Sequence, residues 1–152
     1  MRLRDRPVDL VLAVFFALFC VGWAIFDFPV AVGLIDESTG FYAREIDPIF
    51  RDPPLWLEAV GWFAAFYGPI YAAIVYGLML DRAWLPELVL PFAGLITATN
   101  VIYWVVELKG DERPLNMAAF VALNLPYLVV PPLAAVRCAV ALRRARATTA
   151  VP

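Results

Sequence analysis

The sequence predicts an all-α integral membrane protein, a bundle of four transmembrane helices with both termini in the cytoplasm. Of its 152 residues, 63% are hydrophobic and only 17% are charged, whereas soluble domains are about half apolar and a quarter charged. The apolar residues fall into four long runs joined by shorter connections. Each run can cross ~30 Å of hydrocarbon, which needs about 20 residues, and backbone in lipid has to pair within a helix.

The predicted membrane domain covers residues 1–144, with spans at about 8–33, 55–80, 85–106 and 117–142. Proline removes a backbone donor and crowds the preceding turn, so prolines inside or at the ends of the spans predict kinks. These are Pro69, Pro91, Pro126, Pro131 and Pro132. Residues 145–152 are small and polar, and we expect them to be a disordered tail.

The basic residues predict the orientation. One side of the membrane would carry Arg2, Arg4, Arg6, Arg82, Arg137, Arg143, Arg144 and Arg146. The other side would carry Arg44, Arg51, Lys109 and Arg113. Because loops rich in Lys and Arg stay in the cytoplasm, this bias places both termini there.

The first loop, about residues 36–54, is the longest connection and holds Phe41, Tyr42, Ile46 and Phe50 among its charges. Such a segment is expected to lie on the membrane surface or to fold over the bundle as a lid. An ordinary solvated loop is the alternative.

The composition excludes several kinds of site. The chain contains no histidine, which removes the usual general base, the commonest metal ligand and the ordinary pH switch. The sequence contains no hydrolase motif and no metal-binding or phosphate-binding motif, and we expect no metal and no cofactor. With a net charge of −2 and no basic stripe away from the termini, no nucleic-acid partner is expected either.

Three polar side chains in the predicted spans form the candidate site. Asp27, Asn100 and Asn124 lie on three different spans, each about 10 Å below the outer surface at 1.5 Å rise per residue. Ionisable groups in lipid are costly, so Asp27 is a functional candidate. The alternatives are that the asparagines only bond neighbouring helices and that Asp27 is a structural acid. Glu58 and Glu107 lie at span ends, where we expect them to be solvated.

Aromatic residues at helical spacing surround that level. Those predicted to line a cavity are Trp23, Trp62, Phe66, Tyr67, Tyr103, Trp104 and Tyr127. Aromatic rings beside a carboxylate suit a flat apolar ligand or one that bears a cation. Anchoring at the membrane surface is the alternative for tryptophans near span ends, including Trp56, Trp84 and Trp104.

Several short motifs are similar to those of a known family. Asp47-Pro48 followed by Asp52-Pro53-Pro54-Leu55-Trp56 resembles the D-P…[D/E]-P-P-x-W signature of the sigma-2 receptor branch of the emopamil-binding protein superfamily, whose shared domain is called EXPERA. The segment Asn124-Leu125-Pro126-Tyr127-Leu128-Val129-Val130-Pro131 resembles that branch's A-P-Y-L-L-I-P, and Ile25-Phe26-Asp27-Phe28 matches its ligand-contacting acid. The resemblance covers about residues 7–142.

The resemblance implies a four-helix bundle with a lateral cavity for sterol-like or cationic amphiphilic ligands. Asp27 would meet the ligand's polar group, and Asp47 would be a buried acid that ties the first loop to the bundle. Structural roles would fall to Asp52, Pro53, Pro54 and Trp56. The chain departs from the family at Ala64, where members carry a glutamate in the middle of the second span.

Three functions remain open. The first is binding, or binding and transfer, of a sterol-like, isoprenoid or cationic amphiphilic ligand. The second is a double-bond isomerase or cyclase with Asp27 as the acid, an activity disfavoured by the missing histidine and glutamate because isomerisation needs both an acid and a base. The third is a membrane scaffold without ligand chemistry.

The expected partner is a membrane lipid or small hydrophobic ligand, and small-residue faces would allow a homodimer. Frequent arginine and alanine indicate a GC-rich bacterial source. A bacterial plasma membrane is therefore expected, or the endoplasmic reticulum if the source is eukaryotic.

Overall fold

A computed structural model describes residues 3–110 and 113–149, and within them every regular element is helical. The elements are α1 (Pro7–Gly22), a wide π-helical turn (Trp23–Asp27), α2 (Phe28–Ala31), α3 (Phe41–Glu45), α4 (Leu55–Ala64), α5 (Tyr67–Leu80), α6 (Leu85–Lys109) and α7 (Met117–Thr149). The predicted all-α class is confirmed.

Helix length and composition identify an integral membrane protein. Three helical stretches are long and apolar enough to cross a bilayer: Pro7–Ala31, Leu85–Lys109 and Met117–Ala147. The pair α4 and α5, bent by 43°, is a fourth if it forms one span. The outward face of the stretch Pro7–Ala31 is apolar, with Val11, Leu18 and Ile25 each more than half exposed. Such a face is stable against lipid tails rather than water.

The first span ends earlier than predicted. Its helix stops at Ala31, because Gly33 takes a left-handed φ of 73°. The backbone N–H groups of Leu34 and Ile35 then both donate to the Pro29 carbonyl, closing the helix in the manner typical of a glycine cap. Asp27 therefore lies four residues from the end of the helix, about 6 Å along its axis rather than about 10 Å.

The predicted second span is interrupted next to a proline, between α4 and α5. Pro69 has no N–H group with which to bond the carbonyl four residues earlier, that of Ala65, and the break falls at Ala65 and Phe66. The prolines of α6 and α7 lie inside helices that continue through them. Of the predicted kink sites, Pro69 is therefore the one beside an interrupted helix.

The fourth predicted span extends further than expected, since α7 continues to Thr149. Residues 145–149 are helical where a disordered tail was expected, in keeping with the alanines and arginines there, which favour helix. Residues 150–152 of that predicted tail, together with Arg2, Asp111 and Glu112, lie outside the described residues.

The long helices pack as two pairs, α1 along α5 and α6 along α7. Aromatic rings join the pairs in the core. Phe19 of α1 stacks on Tyr127 of α7 with ring centroids 4.1 Å apart, and Tyr71 of α5 contacts Phe92 of α6 edge-on at 5.6 Å. The interior between the pairs is therefore built from aromatic side chains, of which Tyr71 and Tyr127 carry hydroxyl groups.

The first loop folds over one end of this bundle. It consists of α3 between two short 3-10 helices, Glu37–Thr39 and Pro48–Arg51. Its residues Ala43, Ile46 and Ile49 are buried. The Leu115 N–H donates to the Ile46 carbonyl over 2.8 Å, which joins this loop to the one that precedes α7.

Candidate functional site

The break between α4 and α5 fixes Trp23 in place. The Ala65 carbonyl, freed by Pro69, accepts a hydrogen bond of 3.1 Å from the Trp23 indole N–H. The Trp23 ring lies directly against Gly68, where a Cβ atom would overlap it. One tryptophan thus restores a lost backbone hydrogen bond and fastens the wide turn of the first span to the start of α5.

Asp27 ends this wide turn, one turn of helix after Trp23. Its side chain is half-buried, and among the described residues its carboxylate has no hydrogen-bond or ion-pair partner. Its charge acts on the hydroxyl groups of Tyr67, Tyr71 and Tyr127. The carboxylate therefore lies within electrostatic range of the tyrosines of the aromatic interior.

Tyr67 is a second polar group there. Its side chain is 7% exposed and packs edge-on against the rings of Tyr71 and Phe92. Its buried hydroxyl lies beside the hydroxyl group of Thr99 on α6. Thr99 directs its own proton to the carbonyls of Leu95 and Ile96, so the Thr99 oxygen is the acceptor available to Tyr67.

A polar network ties the first loop to the second helix pair. Asp47 is completely buried; it accepts a short hydrogen bond from the Tyr103 hydroxyl and one from the Ile49 N–H. The Tyr103 and Tyr42 hydroxyl oxygens are 3.4 Å apart. The Asn124 amide donates to the Tyr42 hydroxyl over 2.7 Å. Asp47, which the family resemblance placed between loop and bundle, is joined to α6 and through Tyr42 to α7.

The loop that carries this network also carries titratable groups. Burial raises the pKa of Tyr42, so its hydroxyl stays protonated. Burial, with the charges of Asp27 and Asp47, raises the pKa of Glu37 from 4.5 to about 7. Glu37 lies in the first 3-10 helix and is partly exposed. Glu37 is therefore a loop carboxyl group whose pKa is near neutral and which the charge of Asp27 reaches.

Glu107 does not lie where the sequence predicted. It was expected to be solvated at a span end, but its side chain is completely buried, because α6 continues past it to Lys109 and the first loop covers this end of the bundle. Its charge acts on Tyr42. Glu58 is exposed, as expected.

The three polar residues predicted to converge do not bond to one another. Asn100 donates to the Ile96 carbonyl of its own helix over 2.9 Å. Asn124 belongs to the loop network, and Asp27 lies in the aromatic interior. Equal depth along a helix does not fix the direction in which a side chain points, and the three point to different neighbours.

The predicted aromatic residues separate into two groups. Trp62 and Phe66, at the break, are 64% and 70% exposed and lie on the outer surface. The others contribute to the interior: Trp23, Tyr67, Tyr103, Trp104 and Tyr127. Trp104 packs edge-on against Phe120, and its buried indole N–H has no partner in the described residues.

The motif Asp52–Trp56 starts α4. The Pro54 carbonyl accepts the N–H groups of Leu57 and Glu58 at 2.8 Å and 3.2 Å. Asp52 is exposed, whereas Pro53 and Trp56 are half-buried. These positions are consistent with a structural role for the motif.

A cluster of four charges at the other end of the bundle, the charge clasp, was missed. Asp9 of α1 is 4% exposed and accepts two hydrogen bonds from Arg137 of α7, at 2.6 Å and 2.8 Å. Arg6 adds a third at 2.8 Å. Asp81, in the loop before α6, contacts both arginines. Asp9 and Arg137 stand in apolar runs of the sequence. The cost of an ionisable group in lipid, which singled out Asp27, should have singled them out as well.

Two shallow grooves lie on the outer surface of the helices. One, of about 340 Å³, is lined by α1 and α5, including Cys20 and Tyr76. The other, of about 450 Å³, is lined by α6 and α7, including Thr97 and Pro132. Neither is lined by Asp27, Asn100 or Asn124. Within the described residues, no group of three or more His, Cys, Asp or Glu could hold a metal ion.

Comparison with known proteins adds the family. The family profile described as EBP: EXPERA (EXPanded EBP superfamily) matches residues 34–138. No solved structure matches the chain. The matched region begins in the loop that carries Glu37 and ends next to Arg137 of the charge clasp.

Proposed function

The chain belongs to the EXPERA family, the expanded EBP superfamily, and on this premise we propose that it binds a sterol-like, isoprenoid or cationic amphiphilic ligand inside the membrane. The superfamily includes sterol-binding and isomerase-type members. The observation that carries the proposal is the Asp27 carboxylate, half-buried and without a partner in the described residues. A bare charge among apolar helices is costly, and a ligand's ammonium or hydroxyl group would supply the missing donor.

The surroundings of Asp27 support an apolar ligand body. Trp23 lies one helical turn before Asp27, and Tyr67 and Tyr127 lie within range of its charge. Aromatic faces give a flat polycyclic or isoprenoid skeleton large contact areas, and they attract a cation if the ligand carries one. A carboxylate on one wall of an aromatic interior therefore suits an amphiphile with one polar end.

We further propose that α4 and α5 form one span, which gives four crossings with both termini in the cytoplasm. The charge clasp supports an even number of crossings, because Asp9 near the start of α1 bonds to Arg137 near the end of α7. The excess of basic residues on that side supports the orientation. A bacterial plasma membrane is the proposed location.

One observation favours a second candidate function, a double-bond isomerase. Moving a double bond requires one group to protonate an alkene carbon and another to remove a proton from a carbon on its far side. The sequence indicated only Asp27, but Glu37 is a second carboxyl group within range of its charge. One protonated and one ionised member of this pair would carry out both steps and end with the proton exchanged between them.

The binding proposal is tested with Asp27→Asn in the full-length protein reconstituted into lipid nanodiscs. The probes are a radiolabelled 3β-hydroxysterol and its 3β-amino analogue. A hydrogen bond to a charged group contributes about 1.5–3 kcal/mol, so we expect the affinity for the amine to fall about 10- to 100-fold. The affinity for the alcohol should fall by less, because the amide oxygen still accepts a hydrogen bond.

Asp36→Asn is the matched control. Asp36 is an exposed acid of the first loop that accepts hydrogen bonds from Ser38, and an asparagine oxygen can accept the same bonds. Its variant should bind both probes like the wild type. Unchanged binding of both probes to Asp27→Asn contradicts the proposal. Isomerase activity is scored separately, as movement of the double bond in a Δ8 sterol, and should be lost in Glu37→Gln.

A further inference from the structure

The groove between α1 and α5 lies on the outer surface of the helices, where lipid surrounds a membrane protein. Its volume is about 340 Å³. The lining includes two small, exposed residues, Ala17 of α1 and Ala72 of α5, together with Tyr76 and Met79 of α5. An apolar groove in this position is filled by a lipid chain rather than by water, because water is excluded from the hydrocarbon.

The groove runs along most of one leaflet. On α5 its lining extends from Ala72 to Met79, and the helix ends at Leu80. At 1.5 Å rise per residue, Ala72 lies about 12 Å below that end, compared with ~15 Å for half of the hydrocarbon thickness. The groove therefore matches the length of an acyl chain whose head group lies where α5 ends.

An exposed guanidinium group stands at that end of the groove. Arg82 follows the end of α5 by two residues. It donates to the Tyr76 hydroxyl over 2.7 Å, and its guanidinium carbon lies 5.2 Å from the centre of the Tyr76 ring. Because Tyr76 also lines the groove, it holds the positive charge beside the groove's open end.

The neighbouring charges leave that of Arg82 unbalanced. In the charge clasp, Asp81 contacts Arg6 and Arg137, and Asp9 accepts hydrogen bonds from the same two arginines, so two acids balance two bases. No described residue offers Arg82 a carboxylate within ion-pair distance. A guanidinium group presents paired donors that fit two oxygen atoms of a phosphate.

We propose that this groove binds an anionic phospholipid, whose phosphate accepts hydrogen bonds from Arg82 and whose acyl chain lies between α1 and α5. Basic residues at the membrane surface attract anionic lipids, and a zwitterionic head group would bring a second positive charge to Arg82. The site is separate from that of the proposed function, since Asp27 does not line the groove.

The head-group contact is tested with Arg82→Gln in the full-length protein. Native mass spectrometry counts the lipids bound as the protein in micelles is titrated with phosphatidylglycerol, with phosphatidylcholine of the same chains, or with glycerol phosphate. We expect Arg82→Gln to weaken binding of phosphatidylglycerol about fivefold and that of phosphatidylcholine less than about twofold. Arg143→Gln is the matched control, because Arg143 is an exposed arginine near the same end of the bundle.

The acyl-chain contact is tested with Ala72→Phe, which fills the groove. Binding of both phospholipids should weaken about threefold or more, because the chain loses its contacts with the two helices. Ala122→Phe is the matched control, since Ala122 is an exposed alanine of α7 that lines neither groove. Thermal unfolding without added lipid checks that each variant is folded.

Selective weakening of phosphatidylglycerol by Arg82→Gln, with weakening of both lipids by Ala72→Phe, supports the site. Equal effects of Arg82→Gln and Arg143→Gln overturn it, because surface charge alone would then attract the lipid. Unchanged binding in Ala72→Phe also overturns it, as does glycerol phosphate that binds as tightly as the lipid. A dimer that Ala72→Phe dissociates overturns it too, since a second copy of the chain would then occupy the groove. Either proposal can fail without the other, because the two sites share no residue.

Discussion

The charge clasp is expected to hold the two helix pairs together at the end that carries the termini, and Asp9→Asn tests this. Asp9 is 4% exposed and receives three charged hydrogen bonds, two from Arg137 and one from Arg6. Removing one partner of a buried ion pair costs about 3–5 kcal/mol. Because the Arg137 side chain is 19% exposed, water compensates part of that loss, and we expect about 2–4 kcal/mol.

The control and the assay use the same cluster. The Asp81 side chain is 61% exposed, so Asp81→Asn should cost less than about 1 kcal/mol. Reversible unfolding of the purified protein in mixed micelles, titrated with a denaturing detergent, gives the free energy of unfolding for each variant. A double-mutant cycle of Asp9→Asn with Arg137→Gln should give a coupling energy of about 1–3 kcal/mol.

The result that would refute this reasoning is a simple ranking. If Asp9→Asn destabilises the protein no more than Asp81→Asn, the buried pair makes no net contribution and the clasp is a by-product of packing. A coupling energy near zero would lead to the same conclusion even if both single variants were unstable, since each would then act through other contacts.

Two further predictions concern the first loop and the break. Burial, with the charge of Asp27 next, raises the pKa of Glu37 to about 7, so the folded state binds this proton more tightly than the unfolded chain. The unfolding free energy should therefore fall by about 1–2 kcal/mol, after discounting for partial exposure, as the pH rises from about 4.5 to about 7. Glu37→Gln should abolish that slope in detergent unfolding measured from pH 4 to pH 8. Gly68→Ala should displace Trp23, lower the free energy of unfolding by about 1–3 kcal/mol and alter the near-UV circular dichroism. Gly61→Ala, with open space around its Cβ position, should change neither. A Gly68→Ala variant with unchanged stability and spectrum would contradict the described packing of Trp23.

The positions of the spans could be predicted because long apolar runs are a one-dimensional signal. Their ends could not be predicted within a turn, and several site assignments depended on the ends. Glu107 was taken as solvated because the third span was expected to stop at residue 106, but α6 continues and the first loop covers it. Arg137 was counted only among the cytoplasmic basic residues, and Asp9 was not singled out, although both lie inside the predicted spans.

The arrangement of the candidate residues could not be predicted from the sequence. Asp27 was selected because a carboxylate in lipid is costly; it is half-buried, and its role as a ligand contact stays a prediction. Counting residues gave Asn100 and Asn124 a similar depth, yet the direction of each side chain depends on rotation about the helix axis and on hydrogen-bond partners from distant segments. That Trp23 restores the hydrogen bond lost at Pro69 also required the tertiary structure, since the two residues belong to different spans.

The buried Asp47 constrains the order in which the protein is assembled at the ribosome. Tyr103, its hydrogen-bond donor, is 56 residues further along the chain, and Asn124, which joins the network through Tyr42, is 82 residues beyond that tyrosine. While the first two apolar segments enter the membrane, neither partner has yet been inserted. The first loop therefore waits in water with its carboxylate exposed, and it closes over the bundle only after the last segment has been inserted.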